Sequence, residues 1–263
     1  MRIFIVRREM MAGKRVFHKR VTPKNPIRRV YINADISEIV IEPHDVDYID
    51  VSGMVLGGSA SDLSLDLREA EDTITLSISK KETSKIYYDV KTKVRIPNKP
   101  RLATLAVNVK VGDIRLDGFE ADKIVISTAN GDVICGGVKS NEAVLESING
   151  DILIRGGEYD ALNLKTTNGD ALIELEVLRK SRCVIECING EIRLNITEAS
   201  NAVIEANTLN GRVLVYDTDK FKEVTLEEKF FRGILGSGDA ELLIKNVNGD
   251  VRIEVLSKKG ITG

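Results

Sequence analysis

The sequence predicts an all-β protein, specifically a right-handed, single-stranded parallel β-helix (β-solenoid) with an irregular, β-rich N-terminal part. Asn-Gly pairs recur at a nearly constant period, and segments of alternating apolar residues flank each pair. The chain of 263 residues is 43% hydrophobic, yet no apolar run approaches the ~18 residues of a membrane span. Three Cys in so long a chain imply no disulfide framework, and we interpret them as buried thiols.

The repeat is the strongest signal in the chain. A weaker copy at Val111-Gly112-Asp113 precedes six Asn-Gly pairs. Successive glycines from Gly112 are separated by 19, 19, 19, 21, 21 and 38 residues, and we interpret the last step as two repeats of which one has lost its signature. The six pairs are the predicted corners of the coil: Asn130 and Gly131, Asn149 and Gly150, Asn168 and Gly169, Asn189 and Gly190, Asn210 and Gly211, and Asn248 and Gly249.

The residues around each pair alternate as strand residues do. Because a strand has a side-chain period of two, the residues three and five places after each Asn share one face, and all of them are apolar. They are Val133 and Cys135, Ile152 and Ile154, Ala171 and Ile173, Ile192 and Leu194, Val213 and Val215, and Val251 and Ile253. This face is the predicted core.

Two polar columns accompany the corners. Small residues stand two places before each Asn, and we expect their hydroxyls to hydrogen-bond along the ladder, as cross-strand Thr pairs do. They are Thr128, Ser147, Thr166, Cys187, Thr208 and Asn246. Acidic residues follow most of the glycines, where a calcium ladder is conceivable. Asp after Asn-Gly is ordinary turn chemistry, however, so we predict no metal and no cofactor.

An antiparallel meander is the alternative fold, because Asn-Gly is also the strongest short hairpin signal. The constant period favours the solenoid, since a coil that returns to its start needs each corner to stack on the one below it. Right-handed winding is the default for parallel crossovers.

In chain order, residues 1–29 are predicted to form a basic arm with edge strands, and residues 30–100 irregular β coils or a cap. The segment 30–100 alternates without Asn-Gly, so looser coils and a small β-sandwich both remain open. Residues 101–257 form the regular solenoid with an irregular insertion at 217–238, and residues 258–263 a C-terminal tail.

The arm concentrates positive charge. Residues 1–29 hold ten bases and one acid, whereas the rest of the chain holds 28 bases and 39 acids. Three interpretations compete: an edge strand that blocks aggregation, an arm that lies on the acidic body of its own or another copy, and a site for nucleic acid or an anionic membrane. The candidate interaction residues are Arg7, Arg8, Lys14, Arg15, Lys19 and Arg20.

The insertion places aromatics beside bases. Phe230 and Phe231 lie between Lys229 and Arg232. They are candidate interaction residues of a binding loop. The competing interpretation is a plug over the side or end of the core, because Phe is usually buried.

The Asn-Gly-Asp-Val/Ile repeat, preceded by Val94-Arg95-Ile96-Pro97, resembles the prokaryotic "putative adhesin" family of β-helix proteins. The resemblance covers about residues 30–255 and implies a right-handed β-helix fold. Its motifs specify a fold and no site, so an adhesin role rests on analogy of fold.

No catalytic motif stands out, so the sequence predicts a non-catalytic structural or interaction protein, an adhesin-like module or a scaffold. Its expected partner is protein, including itself as a homo-oligomer or filament. The alternative is a protein that binds or cleaves polysaccharide, which requires two close carboxylates beside bases on one face. The first residues lack the apolar stretch of a signal peptide, which favours a cytoplasmic protein, with the cell surface as the alternative.

Overall fold

The computed structural model describes residues 2–5, 10–11, 14–56, 63–80, 89–176 and 180–257, with side chains from Val16 onward. The chain divides into two compact units, Met1–Gly131 and Asp132–Gly263. Within the described ranges, no helix has the length and apolarity needed to cross a bilayer.

The first unit is built from two sheets. Its strands are β1 (Arg2–Ile5), β2 (Met10–Met11), β3 (Lys14–Thr22), β4 (Arg29–Ile36), β5 (Glu38–His44), β6 (Ile49–Leu56), β7 (Leu63–Ala70), β8 (Thr73–Lys80), β9 (Asp89–Pro97), β10 (Leu102–Val111), β11 (Ile114–Asp117) and β12 (Glu120–Asn130). Sheet 1a has the order β1-β3-β6-β9-β5-β11, with β2 beside β3, and sheet 1b has the order β7-β8-β4-β10-β12.

Parallel coils form the centre of this unit. A coil is one strand of sheet 1b, a corner, and one strand of sheet 1a. The coil of β4 and β5 stacks in parallel on that of β10 and β11, and on its other side β8 and β9 pair in parallel with β4 and β5. The strands β3, β6 and β7 are antiparallel to their neighbours and lie outside these coils. Residues 30–100 therefore combine parallel strands that stack coil on coil with antiparallel strands that extend the two sheets.

The second unit repeats this construction. Its strands are β13 (Val133–Gly136), β14 (Lys139–Asn149), β15 (Ile152–Arg155), β16 (Glu158–Asn168), β17 (Ala171–Leu175), β18 (Arg182–Asn189), β19 (Ile192–Thr197), β20 (Ala202–Asn210), β21 (Val213–Val215), β22 (Lys222–Glu227), β23 (Phe230–Leu235), β24 (Ala240–Asn248) and β25 (Val251–Leu256), with a 3-10 turn at Thr218–Lys220. Sheet 2a has the order β13-β15-β17-β19-β25-β21, and sheet 2b has the order β14-β16-β18-β24-β20-β23-β22.

Strands of adjacent coils, which end at stacked Asn-Gly corners, pair in parallel, and this confirms the all-β solenoid prediction and excludes the meander. The predicted inward residues are buried, except Val215, which is half-buried. On the facing sheet, Leu145, Leu164, Ile185 and Ile244 are buried as well. The core is therefore the one that the period of two predicts.

The last coil is not at the end of the second unit. The strands β24 and β25 insert between the coil of β18 and β19 and the coil of β20 and β21, in parallel with both. The interpretation of the 38-residue step as a coil without its signature is therefore wrong. Residues 217–238 instead contain the antiparallel hairpin of β22 and β23, and β23 pairs antiparallel with β20.

Each corner approaches its neighbour so closely that only glycine fits. At Gly169, φ is 155°, and a Cβ would lie 2.2 Å from the carbonyl oxygen of Gly150. Gly190 meets Gly169, Gly249 meets Gly190, and Gly211 meets Gly249 in the same way, at 2.0–2.1 Å. The close approach of backbone to backbone therefore accounts for the invariant glycine of the repeat.

Candidate functional site

The Asn and Asp columns at the corners form hydrogen-bonded ladders. The side-chain amide nitrogen of each Asn from Asn168 onward donates to the side-chain oxygen of the Asn in the adjacent coil at 2.8–2.9 Å, along the column Asn149, Asn168, Asn189, Asn248 and Asn210. The Asp151 carboxylate accepts the backbone N–H of Asp170 at 2.7 Å, and Asp170 accepts that of Glu191 at 2.8 Å. Among the described residues, no group of His, Cys, Asp and Glu is arranged to hold a metal ion.

The small-residue column has a different partner from the predicted one. Its side chains donate to the carbonyl oxygen of the glycine in the neighbouring corner, rather than to one another. The hydroxyls of Thr166 and Thr208 donate to Gly150 and Gly249 at 2.9 Å, and the Cys187 thiol donates to Gly169 at 3.3 Å. Burial raises the pKa of Cys187 to about 11, so this group stays a thiol at neutral pH.

The described part of the basic arm lies on the chain's own body. Arg20 Nε is 3.2 Å from Asp50 Oδ1 and the guanidinium lies 4.0 Å above the Tyr48 ring, while Lys19 Nζ donates to the Leu65 carbonyl at 2.6 Å. Lys14 and Arg15 belong to β3, whose backbone pairs with β6. The described side chains begin after them, at Val16. Arg7 and Arg8 lie outside the described residues.

Asp50 is the most buried acid of this region. His18 Nε2 also lies 2.5 Å from Asp50 Oδ1, and the Asp50 side chain is 9% exposed. Burial acts to raise the pKa of Asp50, but hydrogen bonds and charge from His18 and then Arg20 outweigh it, so the pKa lies below its usual value. The arm is therefore held by a carboxylate that is ionised at neutral pH.

The outward side of sheet 1a, which we call the charged face, continues this pattern. Arg20, Asp50, Arg95 and Glu42 are register partners across four neighbouring strands. Lys93 Nζ is 2.7 Å from Glu42, and Lys91 Nζ is 2.6 Å from Glu38, which raises the pKa of Lys91. The charges of this face compensate one another within the unit.

The outward side of sheet 2b carries two regular columns, which we call together the striped face. One column consists of the residues directly before the corner Asn: Ile148, Thr167, Ile188, Val247 and Leu209. Ile148, Val247 and Leu209 are 53%, 37% and 64% exposed. The other column, two residues earlier, consists of Glu146, Lys165, Glu186, Lys245 and Asn207 in spatial order.

The two aromatic candidates, Phe230 and Phe231, differ in burial. Phe231 is fully buried and its ring packs edge-to-face against Phe221 at 5.2 Å, so its side chain is unavailable to a partner. Phe230 is half-buried. The hairpin therefore acts as a plug at β20, in agreement with the competing interpretation.

Sequence reasoning missed the striped face. The signal that could have predicted it was the apolar residue directly before most of the Asn residues, because the period of two places that residue on the outward side of the strand. The charge alternation was hidden, because Lys245 follows Asn207 in the chain and precedes it in space.

These features define the chain as a repeat protein of stacked parallel β coils with polar ladders at their corners. Residues 27–254 match the model of the Toastrack DUF4097 family, and the chain belongs to this family. No protein of curated function matches it in sequence.

Several solved structures are similar to this chain at low sequence identity and with TM-scores below 0.5. A "putative cell adhesion protein" from Clostridium sporogenes is 13% identical over 92% of this chain and 100% of its own, with a TM-score of 0.39. A "putative adhesin" from Bacteroides fragilis is 12% identical over 90% and 96%, with a TM-score of 0.47. A "putative lipid binding protein" from Parabacteroides distasonis is 14% identical over 92% and 96%, with a TM-score of 0.46.

Proposed function

We propose that this protein is a non-catalytic interaction module, a scaffold that associates with copies of itself through exposed sheet surface. The observation that carries the proposal is the outward apolar column of the striped face, in which Ile148 and Leu209 are more than half exposed. Four of the five residues in this column are apolar, and exposed apolar side chains grouped between polar ones are typical of protein–protein contacts.

The basic arm is a weaker basis for association than the striped face. Arg20 is engaged by Asp50, and Arg29 Nη1 is 2.9 Å from Asp72. These contacts favour an arm that lies on its own body over one that binds nucleic acid or an anionic membrane.

Light scattering after size exclusion tests the proposal. The weight-average mass is expected to rise from that of a monomer towards that of a dimer between about 1 µM and 1 mM, the range of weak interfaces. A monomer mass throughout this range contradicts self-association.

A polysaccharide ligand is the second candidate, because the charged face brings two carboxylates together. The register that pairs Ile41 with Leu116 places Glu42 beside Asp117, with Lys93 and Arg115 as the neighbouring bases. Both carboxylates are engaged in ion pairs. Titration with an acidic polysaccharide, followed by an assay for new reducing ends, separates binding from cleavage, and no response in either removes this candidate.

We further propose a cytoplasmic location, which the three buried thiols support because reducing compartments keep Cys reduced. An adhesin-like role at the cell surface is the competing outcome. Fractionation of cells that express the full-length protein decides between them.

A further inference from the structure

The striped face has a charge order that complements itself. Along β14, β16, β18 and β24 its charged column reads Glu146, Lys165, Glu186 and Lys245, with adjacent members about 4.8 Å apart. Within the sheet, Lys245 Nζ is 3.6 Å from Glu186. In the reverse strand order the column is positive, negative, positive, negative. Each charge therefore meets an opposite charge when the column faces a reversed copy of itself.

One symmetry operation performs this reversal between two facing sheets. A two-fold axis that lies between the sheets and runs parallel to the strands keeps each column opposite its own copy and inverts the strand order. Glu146 then faces Lys245 of the second copy, and Lys165 faces Glu186. Such an isologous contact satisfies every charge of the column and closes after two subunits.

The same operation joins the apolar columns. Ile148 faces Val247 of the second copy, and Thr167 faces Ile188. In the column two residues before the charges, Val144 faces Leu243 of the second copy and Asn163 faces Val184. Packing of two sheets at about 10 Å would remove these stripes from water on both sides of the charges.

The size of the face suits a weak dimer. Four strands of about nine residues span roughly 20 Å by 30 Å, a planar area of about 600 Å² for each partner. This lies below the ~800 Å² per partner of a standard interface, in the range of transient association. At the rim, the same operation places Glu142 opposite Glu241 of the second copy, and Arg182, which is 3.2 Å from Glu241 of its own chain, lies beside this pair of like charges.

We propose that a second copy of this chain docks on the striped face through this two-fold contact, with the alternating charges fixing the register. The proposal rests on the proposed self-association and specifies its surface. The observations favour a second copy over other occupants: the charges of the column cancel, which disfavours a polyanion or an anionic membrane, and the columns carry no aromatic ring for stacking on a sugar.

A charge-reversal cycle tests the proposal, with sedimentation velocity measuring the dimer dissociation constant. Lys245→Glu places like charges opposite each other at two symmetric points and is expected to raise this constant at least tenfold. The double variant Glu146→Lys with Lys245→Glu restores an opposite charge at every point and is expected to return it to within about threefold of the wild type. Ile148→Lys is expected to raise the dissociation constant as well, and the double charge reversal is not expected to restore it.

Lys222→Glu is the matched control, because it makes the same change on the edge strand β22 of the same unit, and it should leave the dimer intact. A dimer that is unaffected by Lys245→Glu and Ile148→Lys overturns this surface and leaves self-association standing. A double variant as weak as the single one overturns the register. A monomer at every concentration overturns self-association itself. Circular dichroism of each variant verifies that it is folded.

Discussion

At the residue scale, the corner geometry explains which side chains the repeat accepts. The buried position two residues before each Asn donates a hydrogen bond to a glycine carbonyl in the next corner, and three residue types do so at different coils. Thr128, Thr166 and Thr208 use a hydroxyl, Cys187 a thiol, and Asn246 an amide, while Ser147 holds the same position. A small donor is therefore required, whatever its chemistry.

Cys187→Thr is expected to stabilise the protein by about 0.5–1 kcal/mol, because a hydroxyl is a stronger donor than a thiol and Thr suits a strand. Ala206→Ser is the control. Its register partners are Phe231 and Ile244, so the added hydroxyl would be buried among apolar side chains and is expected to cost about 1–2 kcal/mol. Urea unfolding measures both, and equal effects would contradict the proposed role of the column.

Asp50→Asn is expected to lower stability by about 1–2 kcal/mol at pH 7, since it removes the charged acceptor of His18 and Arg20. The native pKa of Asp50 is lowered, so the wild type holds this stability above the unfolded pKa of about 3.9 and loses it as the pH falls through the native value. The difference in free energy of unfolding between the wild type and Asp50→Asn should therefore shrink below pH 4. Asp219→Asn, at an exposed position, should show no such pH dependence in urea titrations at pH 7, 5 and 3.

At the element scale, the sequence predicts the coils better than their ends. A period of two and the Asn-Gly signature are local signals, so the corners at Gly150, Gly169 and Gly190 and the inward residues follow from them directly. The insertion of β24 between β18 and β20 depends on pairing between residues 59 apart, as from Asn189 to Asn248, and no local signal encodes it. The same reordering hid the charge alternation of the striped face.

The hairpin of β22 and β23 shows how the end of sheet 2b is protected. Strand β22 is exposed along its whole length, with a register shift between Lys222 and Thr225 and a positive φ of 48° at Glu223. Bulges and charged side chains at a sheet edge oppose pairing with another edge. This end therefore opposes growth of a filament through this edge of the sheet.

Gly169→Ala is expected to destabilise the second unit by more than about 3 kcal/mol, because the new Cβ would lie 2.2 Å from the Gly150 carbonyl and the coils cannot separate locally. Gly156→Ala is the matched control: its φ of 65° is also positive, but no atom lies within 4 Å of the new Cβ. Its expected cost is about 1 kcal/mol from backbone strain alone. Similar melting temperatures for the two variants would show that close packing of the corners is not the constraint.

At the scale of the whole molecule, both units place a coil out of chain order. In the first unit, β8 and β9 lie outside β4 and β5, although β10 and β11 follow them in the chain. In the second unit, the final coil, formed by β24 and β25, lies between two earlier coils. Each unit thus mixes parallel coils with antiparallel strands that extend its sheets, an organisation that a strictly sequential solenoid lacks.

Removing residues 239–263 is expected to unfold the coils around the gap, because β18 and β20 would both lose their parallel partner β24. Limited proteolysis should then cut within 180–238, whereas a chain that ends at Ser257 should resist. If the shorter chain keeps a protected second unit, the central position of the last coil is not needed for stability.

The inserted coil also sets the order in which the protein can be completed during its synthesis. The segment 202–215 emerges from the ribosome before its neighbour in sheet 2b exists, and the site between it and the preceding coil stays open until residues 240–256 have left the exit tunnel. The last step of folding in this unit is therefore the closing of an interior gap rather than the addition of one more layer, and it awaits the synthesis of residues 240–256.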